Sequence, residues 1–503
     1  MTMNGEIDGT VHAVLVPFPA QGHVNAFIHL ADLLASRGFF ITFVNTEWTE
    51  KRMFGSAKHK SQLHYSKPNF RFLSFPDGLP PEHGRTSQLG ELVTTLAKRG
   101  DALEALLRTH TGNDIPPVTC IVADCCMSCT ASVAANMQLP RVVFWPICAA
   151  ASIAQKYANS LLSQGHIPIK VSEGKRLEKM ITSLQGNIPA LWPSDLISFY
   201  REQFTSDLLY EAFLFESRMC DTGDYVLVNT FEELEGREAA AALSINGRPS
   251  LSIGPVFLPS FLRGENSTQS NLSMWEEDDS CLHWLDKQSP RSVLYVSFGS
   301  LALKSQEQLD ELALGLEQSE YTFLWVLRSD IAQGQAAGLP EGLKDRIKDR
   351  ALFVKWTPQL KVLAHPSVGG FLTHSGWNST VESISMGVPM IGWPYFGDQF
   401  LNCRFAKEIW KVGLDFEDVD VDDERLVRRE EIKRAVVIVM ESKELHKKAK
   451  ELKEAAMKAV MAGGSSFNNM TTFIHDMLKH AKSQSQPSSV HCEETREKDD
   501  NIH

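Results

Sequence analysis

Small hydrogen-bonding residues cluster at positions 374–382, where the chain reads HSGWNSTVE between the apolar run VGGFLT and a helical pattern. The first turn of a helix has backbone N–H groups without a partner in the helix, and the helix dipole places about half a positive charge there. Gly376 allows close backbone approach. Asn378 and Ser379 add side-chain donors, and His374 can donate to a phosphate oxygen. The pattern predicts an anion site; a well-capped helix is the structural alternative.

A second turn of this kind lies in SFGS, where Gly299 and Ser300 follow the apolar run VLYV. In an open parallel sheet, ligands bind outside the carboxyl ends of the strands. Two Gly-Ser turns at such ends of one sheet therefore predict a single elongated phosphate ligand. Neither turn continues into the Lys-Ser/Thr of a Walker A loop, and GxGxxG is absent from the chain.

A candidate base lies in the segment PFPAQGHVN near the beginning of the chain, where His23 stands at the start of a predicted helix. Taken alone, a His at a helix start is more often structural. Asp124 ends the apolar run VTCIVA, so it should lie at the same edge of the same sheet. A carboxylate beside Nδ1–H fixes the tautomer of an imidazole and stabilises its protonated form.

Alternating strand and helix patterns provide the frame for these residues. The apolar run VHAVLVPF (11–18), a helical pattern from Val24 to Arg37 and the run FFITFVNT (39–46) form a strand–helix–strand unit. Buried parallel strands are continuous apolar runs of this kind. The same alternation restarts at SVLYVSFGS, which predicts two α/β domains with parallel sheets.

The predicted boundaries follow the changes in composition. A polar segment without periodicity separates the two α/β patterns, GGSS interrupts a long charged helix, and the end of the chain is polar. We predict a first domain over 1–256, a linker or long loop over 257–280, a second domain over 281–465, a last helix over 466–481 and a disordered tail over 482–503.

Composition limits the function classes. The 503 residues are 43% hydrophobic and 22% charged with a net charge of −12, which is typical of a globular protein and argues against nucleic-acid or anionic-membrane partners. No segment has the pattern of a signal peptide or of a membrane span. Nine cysteines without regular spacing favour a reducing compartment, so we expect a cytoplasmic protein. A monomer is the default expectation.

The 44-residue run from Trp356 to Gln399, WTPQLKVLAHPSVGGFLTHSGWNSTVESISMGVPMIGWPYFGDQ, closely resembles the signature box of plant family-1 UDP-sugar glycosyltransferases. PFPAQGHVN, LVNTFEELE, WLDKQSPRSVLYVSFGS and GGSS also resemble this family, so the resemblance covers about residues 11–480. It implies the GT-B architecture, two facing Rossmann-like domains. The acceptor would bind to the first domain, UDP-glucose to the second, and the last helix would pack back on the first.

The resemblance also implies roles for the box. The indole of Trp356 would stack on uracil, with the backbone of Thr357 pairing with the uracil edge. Ribose hydroxyls would bind Gln359 and Glu382, and sugar hydroxyls would bind Asp398 and Gln399, the Gln being associated with glucose. The diphosphate would be held by His374, Asn378, Ser379 and Ser300, with Gly376 at the turn and Trp377 shaping the sugar site.

The implied reaction is an inverting transfer of glucose from UDP-glucose to a hydroxyl of a small hydrophobic acceptor. His23 would act as general base with Asp124 as its partner, and no metal would be required. The expected acceptor is a flavonoid or another phenolic; a terpenoid, hormone or cyanohydrin is the alternative. The chain departs from the family at Ala26, where most members have Pro, which is favoured in a first helical turn.

Other interpretations remain to be distinguished. An oxidoreductase on this architecture would need GxGxxG and an acidic residue about 20 positions later. A non-catalytic sugar-nucleotide-binding protein would lack the base. Asp418-Val-Asp420 could form a metal-binding DxD, although a solvated acidic loop is favoured, and Cys126-x-x-Cys129 could indicate zinc or redox chemistry, although small residues packing a helix are favoured.

Overall fold

The computed structural model describes residues 10–55, 68–85, 87–110, 115–170, 180–205, 207–245, 247–248, 250–264, 275, 277–299, 305–327, 338–416 and 426–485. Ser300, the Asp418-Val-Asp420 triplet, residues 265–274 and 276 of the predicted linker, and the tail from 486 onward lie outside these ranges.

Within the described residues, the first sheet has seven strands in the order β3-β2-β1-β4-β5-β6-β7, and every pairing is parallel. Its central strands are apolar runs buried on both faces, as parallel strands covered by helices must be. The strands are β1 His12–Val16, β2 Phe40–Thr46, β3 Phe70–Phe75, β4 Cys120–Asp124, β5 Arg141–Trp145, β6 Tyr225–Val228 and β7 Ser250–Ser252.

The second sheet, in the part of the chain that the structure describes, has six strands in the order β10-β9-β8-β11-β12-β13, again all parallel. The two sheets confirm an α/β protein with two parallel-sheet domains. The strands are β8 Val293–Ser297, β9 Thr322–Val326, β10 Ala351–Val354, β11 Val368–Thr373, β12 Met390–Gly392 and β13 Gly413–Asp415.

Helices connect the strands and cover both sheets. Those of the first half are α1 Gln21–Ala35, α2 Glu47–Phe54, α3 Leu89–Leu96, α4 Gly100–Thr109, α5 Thr130–Met137, α6 Ala149–Lys156, α7 Ala158–Ser163, α8 Leu208–Met219, α9 Glu232–Glu235, α10 Arg237–Ala241 and α11 Leu258–Leu262. Those of the second half are α12 Ser280–Leu285, α13 Gln306–Gln318, α14 Leu343–Ile347, α15 Gln359–Ala364, α16 Trp377–Met386, α17 Gln399–Arg404, α18 Arg429–Glu441, α19 Lys443–Val460 and α20 Ser465–Ser485.

The strand order reverses direction at one place in each sheet, between β1 and β4 in the first and between β8 and β11 in the second. These switch points leave a crevice at the carboxyl ends of the two diverging strands, where open α/β sheets bind ligands. The chain continues from β1 to His23, while Asp124 ends β4; it continues from β8 to Gly299 and from β11 to His374. All four residues therefore lie at a switch point.

The last helix, α20, belongs spatially to the first half of the chain. Met470, Phe473 and Met477 are buried in the same core cluster as the side chains of β1 and α1. Ser466 Oγ donates to the backbone oxygen of Gly254. The helix continues to Ser485, past the predicted end at 481, and α11 occupies the beginning of the segment predicted as linker.

The first helix differs from its prediction, because α1 spans Gln21–Ala35 and not 24–37. The apolar periodicity begins at Val24, but the backbone N–H of Val24 already bonds to the oxygen of Ala20, so the helix includes Gln21, Gly22 and His23. His23 is thereby fixed within the first helical turn.

Candidate active site

His23 and Asp124 are in direct contact at the switch point of the first sheet. Nδ1 of His23 donates to Oδ2 of Asp124 across 2.7 Å, so Nε2 is the nitrogen left to receive a proton. The Asp124 side chain is fully buried, whereas that of His23 is 25% exposed and lines the cleft. The ring of Phe18 packs edge-on against the imidazole with centroids 5.3 Å apart.

The second carboxylate oxygen of Asp124 also accepts a hydrogen bond. Oδ1 accepts from the backbone N–H of Cys126 at 2.9 Å, and the Cys125 thiol lies 3.6 Å away. Burial acts to lower the pKa of His23, but the charge and hydrogen bond of Asp124, together with the charge of Asp398, outweigh it and raise the pKa above the usual value. The raised pKa makes the His23 imidazole a stronger proton acceptor.

His374 is enclosed by the two glycine turns of the second sheet. A Cβ on Gly299 would lie 2.7 Å from its Cε1, and one on Gly376 would lie 2.6 Å from its Nε2. Gly299 also has a positive φ of 69°, a conformation that suits glycine. The structure therefore brings the two predicted turns together on one imidazole, and only residues without a side chain fit beside it.

The first turn of α16 contacts the opposite domain. Asn378 Nδ2 donates to the backbone oxygen of Gly22 at 2.5 Å, and Trp377 Nε1 donates to the backbone oxygen of Asn229 at 2.8 Å. The Trp377 indole is 3% exposed. Sequence reasoning gave Trp377 a role in shaping the sugar site; the structure adds a hydrogen bond between the domains.

Gln359 is the centre of a network in the second half of the cleft. Its Nε2 donates to Ser379 Oγ at 3.0 Å and to Glu382 Oε2 at 2.7 Å, and its Oε1 accepts from the Tyr295 hydroxyl at 3.3 Å. The same hydroxyl pairs with Thr357 Oγ1 at 2.7 Å. The network fixes the orientation of each member, and Tyr295, within an apolar strand, is a member that sequence reasoning missed.

Burial raises the pKa of Glu382 to about 7; the hydrogen bond from Gln359 opposes the shift and the nearby Glu277 carboxylate adds to it. Burial likewise raises the pKa of Glu277 to about 7. A ligand that donates hydrogen bonds to Glu382 would favour its ionised form.

Asp398 and Gln399 lie at the start of α17, and both line the cleft. Asp398 Oδ2 accepts from Asn402 Nδ2 at 2.9 Å, and burial raises its pKa while the charge of His23 opposes the shift. Gln399 Oε1 accepts from the backbone N–H groups of Tyr395 and Phe396 at 2.8 and 3.1 Å. Because that oxygen already has two partners, Gln399 can offer a sugar only its amide N–H groups.

One cleft between the domains collects these residues. Its volume is about 580 Å³, and from the first domain it is lined by His23 and the side chains around it. Asp124 lies behind His23. The predicted donor residues that line it are Trp356, Thr357, Gln359, His374, Gly376, Trp377, Asn378, Ser379, Glu382, Asp398 and Gln399.

Part of the first-domain wall of the cleft is apolar. This part is formed by Phe18, Ile147, Ile197, Phe199 and Phe213. Such a surface favours a hydrophobic ligand held by few polar contacts. The predicted acceptor and donor halves thus face each other across His23.

Asp124, Cys125 and Cys126 could in principle share a soft metal ion, since their ligand atoms lie within 4.8 Å of one another. Both Asp124 oxygens, however, already accept hydrogen bonds from His23 and Cys126. Burial raises the pKa of Cys125, and that of Cys126 is also raised, so both thiols hold their protons at neutral pH. These hydrogen bonds and protonated thiols are better explained as packing that holds the His23–Asp124 pair in place than as a metal centre.

Comparison with known proteins identifies the class of protein. The family model described as UDP-glucoronosyl and UDP-glucosyl transferase matches residues 271–457, and the model described as Glycosyltransferase, N-terminal domain, matches residues 9–160. The structure of UGT71G1 from Medicago truncatula complexed with UDP-glucose superposes with a TM-score of 0.76 at 26% identity, covering 93% of this chain and 98% of that one. Fold and cleft together define a glycosyltransferase of the GT-B type.

Two similar proteins show to which family of glycosyltransferases the chain belongs. Linamarin synthase 1 of Manihot esculenta is 36% identical over 94% of this chain and 98% of its own length. A 7-deoxyloganetin glucosyltransferase of Gardenia jasminoides is 38% identical over 93% and 98%. The chain belongs to the plant UDP-sugar-dependent glycosyltransferases, enzymes that glycosylate small molecules, as the resemblance of the box predicted.

The relatives show the family, but they do not support the expected phenolic acceptor. The relatives named here are not named for a flavonoid, and the alternative acceptor classes fit them better. Within the described residues, the helices are either too short or too polar to cross a bilayer. The cytoplasmic location, the monomeric state and the domain boundaries stay predictions.

Several contacts across the cleft could not be found from the sequence. Arg404 forms an ion pair with Asp195, and its Nη2 donates to the backbone oxygen of Ala190 at 3.1 Å. Gly397 N donates to Ser198 Oγ at 2.8 Å. No local pattern marks these residues, because each pair is separated by about two hundred positions in the chain.

Proposed function

We propose that the enzyme transfers glucose from UDP-glucose to a hydroxyl of a small hydrophobic acceptor with inversion, giving a β-glucoside. The observation that carries the proposal is the position of His23. Its Nδ1 is held by Asp124 at 2.7 Å, while the ring lines the same cleft as the donor residues of the second domain.

In the proposed reaction, Nε2 of His23 removes the proton from the acceptor hydroxyl. The oxygen attacks the anomeric carbon from the face opposite UDP, and the bond between that carbon and the diphosphate oxygen breaks. Asp124 stabilises the imidazolium that forms. A positioned base of this kind contributes roughly 10²–10⁴-fold in rate.

The leaving diphosphate takes the negative charge. The first turn of α16 presents backbone N–H groups at the positive end of a helix dipole, and His374 lies beside it, enclosed by Gly299 and Gly376. In many enzymes, fixed donors that stabilise a developing charge contribute more to the rate than any other single effect. The proposal needs no metal ion for this step.

The proposed donor is UDP-glucose. Trp356 would stack on the uracil and Thr357 would pair with its edge. Gln359 and Glu382 already point their polar groups at each other within the cleft, and ribose hydroxyls would join this pair. Gln399, with its oxygen held by backbone N–H groups, would donate to a sugar hydroxyl next to Asp398.

For the acceptor, we propose a small hydrophobic alcohol, with terpenoid and cyanohydrin alcohols ahead of flavonoids. The apolar wall at the first-domain end of the cleft supports a hydrophobic molecule. Relatives named for 7-deoxyloganetin and (R)-mandelonitrile, at 38% and 37% identity, support placing these two acceptor classes ahead of flavonoids.

The test is transfer of labelled glucose from UDP-glucose to a panel containing terpenoid alcohols, cyanohydrins and flavonoids. We expect the product to carry the β-anomeric proton signature in NMR, UDP-galactose to be a poor donor, and His23→Ala to lose at least about 100-fold in kcat. An α-glucoside, or a His23→Ala variant as active as the wild type, would refute the mechanism. Preferential turnover of flavonoids would refute only the ordering of acceptors.

A further inference from the structure

The indole of Trp356 is covered on one side by a second indole. Trp275 stacks on it with ring centroids 5.5 Å apart and an interplanar angle of 22°. Trp356 lines the cleft, whereas Trp275 does not belong to the described residues that line it. The two rings are therefore layered, with Trp356 in the lining of the cleft and Trp275 outside it.

A cation from the first domain completes this layer. The guanidinium carbon of Arg52, on α2, lies 5.2 Å from the ring centroid of Trp275 and 4.7 Å from that of Trp48. Arg52 is exposed and does not line the cleft in the described part of the chain. Cation–π contacts of this kind hold an aromatic ring in one orientation. The stack thus runs from α2 through Trp275 to Trp356 in the second domain.

The backbone beside Trp275 is attached to the same region. Asp278 N donates to the backbone oxygen of Trp356 at 3.1 Å, and Asp279 Oδ1 lies 3.6 Å from Lys361 Nζ. The residues 277–279 therefore pack against the beginning of α15. The ring of Trp275 and the residues 277–279 therefore both contact the nucleotide side of the cleft.

We propose that Trp275 is a positioning residue for the nucleotide base, held in place by Arg52. An indole that stacks on a base must be fixed before the ligand arrives, because ordering it on binding would cost entropy. Trp275 covers the rear face of Trp356 and leaves the cleft side for uracil. The inference rests on the proposed function, since it takes Trp356 as the stacking platform.

Arg52 then affects donor binding from the opposite domain and without touching the ligand. A structural role alone would give a different result: loss of Trp275 would weaken the second domain as a whole and reduce the affinity for any ligand of the cleft. The two cases differ for a probe that has phosphates but no base.

The experiment measures binding of UDP and of inorganic pyrophosphate by calorimetry, and KM and kcat for UDP-glucose, in the full-length enzyme. The variants are Trp275→Ala, Trp275→Phe and Arg52→Gln. The matched control is Arg218→Gln, which removes a guanidinium 6.0 Å from the ring of Phe215, a pair outside the cleft.

We expect Trp275→Ala to weaken UDP binding about 3- to 10-fold, the size of an aromatic pair contribution, and to raise KM for UDP-glucose equally. Trp275→Phe should restore most of the affinity. Arg52→Gln should weaken UDP binding about 2- to 5-fold. Pyrophosphate binding, kcat at saturation and the Arg218→Gln variant should stay within about twofold of the wild type.

The outcomes separate this inference from the proposed function. If Trp275→Ala binds UDP like the wild type while Trp356→Ala does not, the positioning role is wrong and the uracil platform stands. If Trp275→Ala loses UDP and pyrophosphate affinity to the same extent, Trp275 is merely structural and the inference is overturned. If Trp356→Ala also leaves UDP binding unchanged, the donor assignment of the proposed function fails as well.

Discussion

Replacing Asp124 by Asn tests the proposed catalytic pair most directly, because the change keeps the shape and removes only the charge and one acceptor. In the wild type, Oδ2 accepts from His23 Nδ1 and Oδ1 accepts from Cys126 N. An amide has one oxygen for these two donors. Either the NH₂ group faces Cys126 N–H, leaving a buried donor without an acceptor, or it faces His23 and forces the proton onto Nε2.

The second arrangement removes the base altogether, and the first leaves it without the stabilising charge. We therefore expect kcat to fall by about 10²–10⁴-fold, which corresponds to about 2.7–5.4 kcal/mol in the activation free energy. KM for UDP-glucose should change by less than about threefold, because Asp124 lies behind His23 in the first domain and outside the lining of the cleft.

The assay is UDP release at saturating acceptor, with thermal unfolding as a check that the variant is folded. Asp224→Asn is the matched control: Asp224 Oδ2 also accepts from a backbone N–H, that of Arg141 at 2.9 Å, but it lies away from the cleft. Asp224→Asn should keep wild-type kcat. A folded Asp124→Asn enzyme with more than about one tenth of the wild-type kcat would show that the pair does not act as proposed.

Three further predictions concern pH, the glycine turn and the domain contact. Since the pKa of His23 is raised and only its neutral form can accept a proton, kcat/KM should fall as the pH drops through an acid limb that lies above the usual pKa of histidine, measured as a pH–rate profile. Gly376→Ala, whose Cβ would lie 2.6 Å from His374, should raise KM for UDP-glucose at least about 10-fold in steady-state kinetics. Trp377→Phe removes the bond to Asn229 and should lower the free energy of unfolding in urea by about 1–3 kcal/mol.

Each of these has its own control or contrary result. In Asp124→Asn the acid limb should lie at lower pH than in the wild type, and an unmoved limb would assign it to another group. Gly338→Ala is the control for the turn, because its added Cβ meets no atom of the described residues within 4 Å, and it should leave KM unchanged. A Trp377→Phe enzyme with wild-type urea stability would show that the hydrogen bond contributes little.

The sequence by itself determined the buried strands that carry the site residues and the edge of each sheet at which the chemistry lies. A continuous apolar run marks a buried parallel strand, and the residue that follows it, such as Asp124 or His374, must lie at the carboxyl end. This is a local rule, because it depends only on the spacing along one element. For the same reason His23 could be placed near Asp124 before any contact was known. The assignment of the signature box to the donor half came instead from its resemblance to a known family.

Only the tertiary structure decided how the two halves meet. The bonds from Trp377 to Asn229 and from Asn378 to Gly22 depend on the relative orientation of two sheets, which no short pattern encodes. The layering of Trp275 between Arg52 and Trp356 is of the same kind. Side chains far apart in the chain meet only after both cores have packed, so their partners follow from the packing of whole domains and not from the residues beside them.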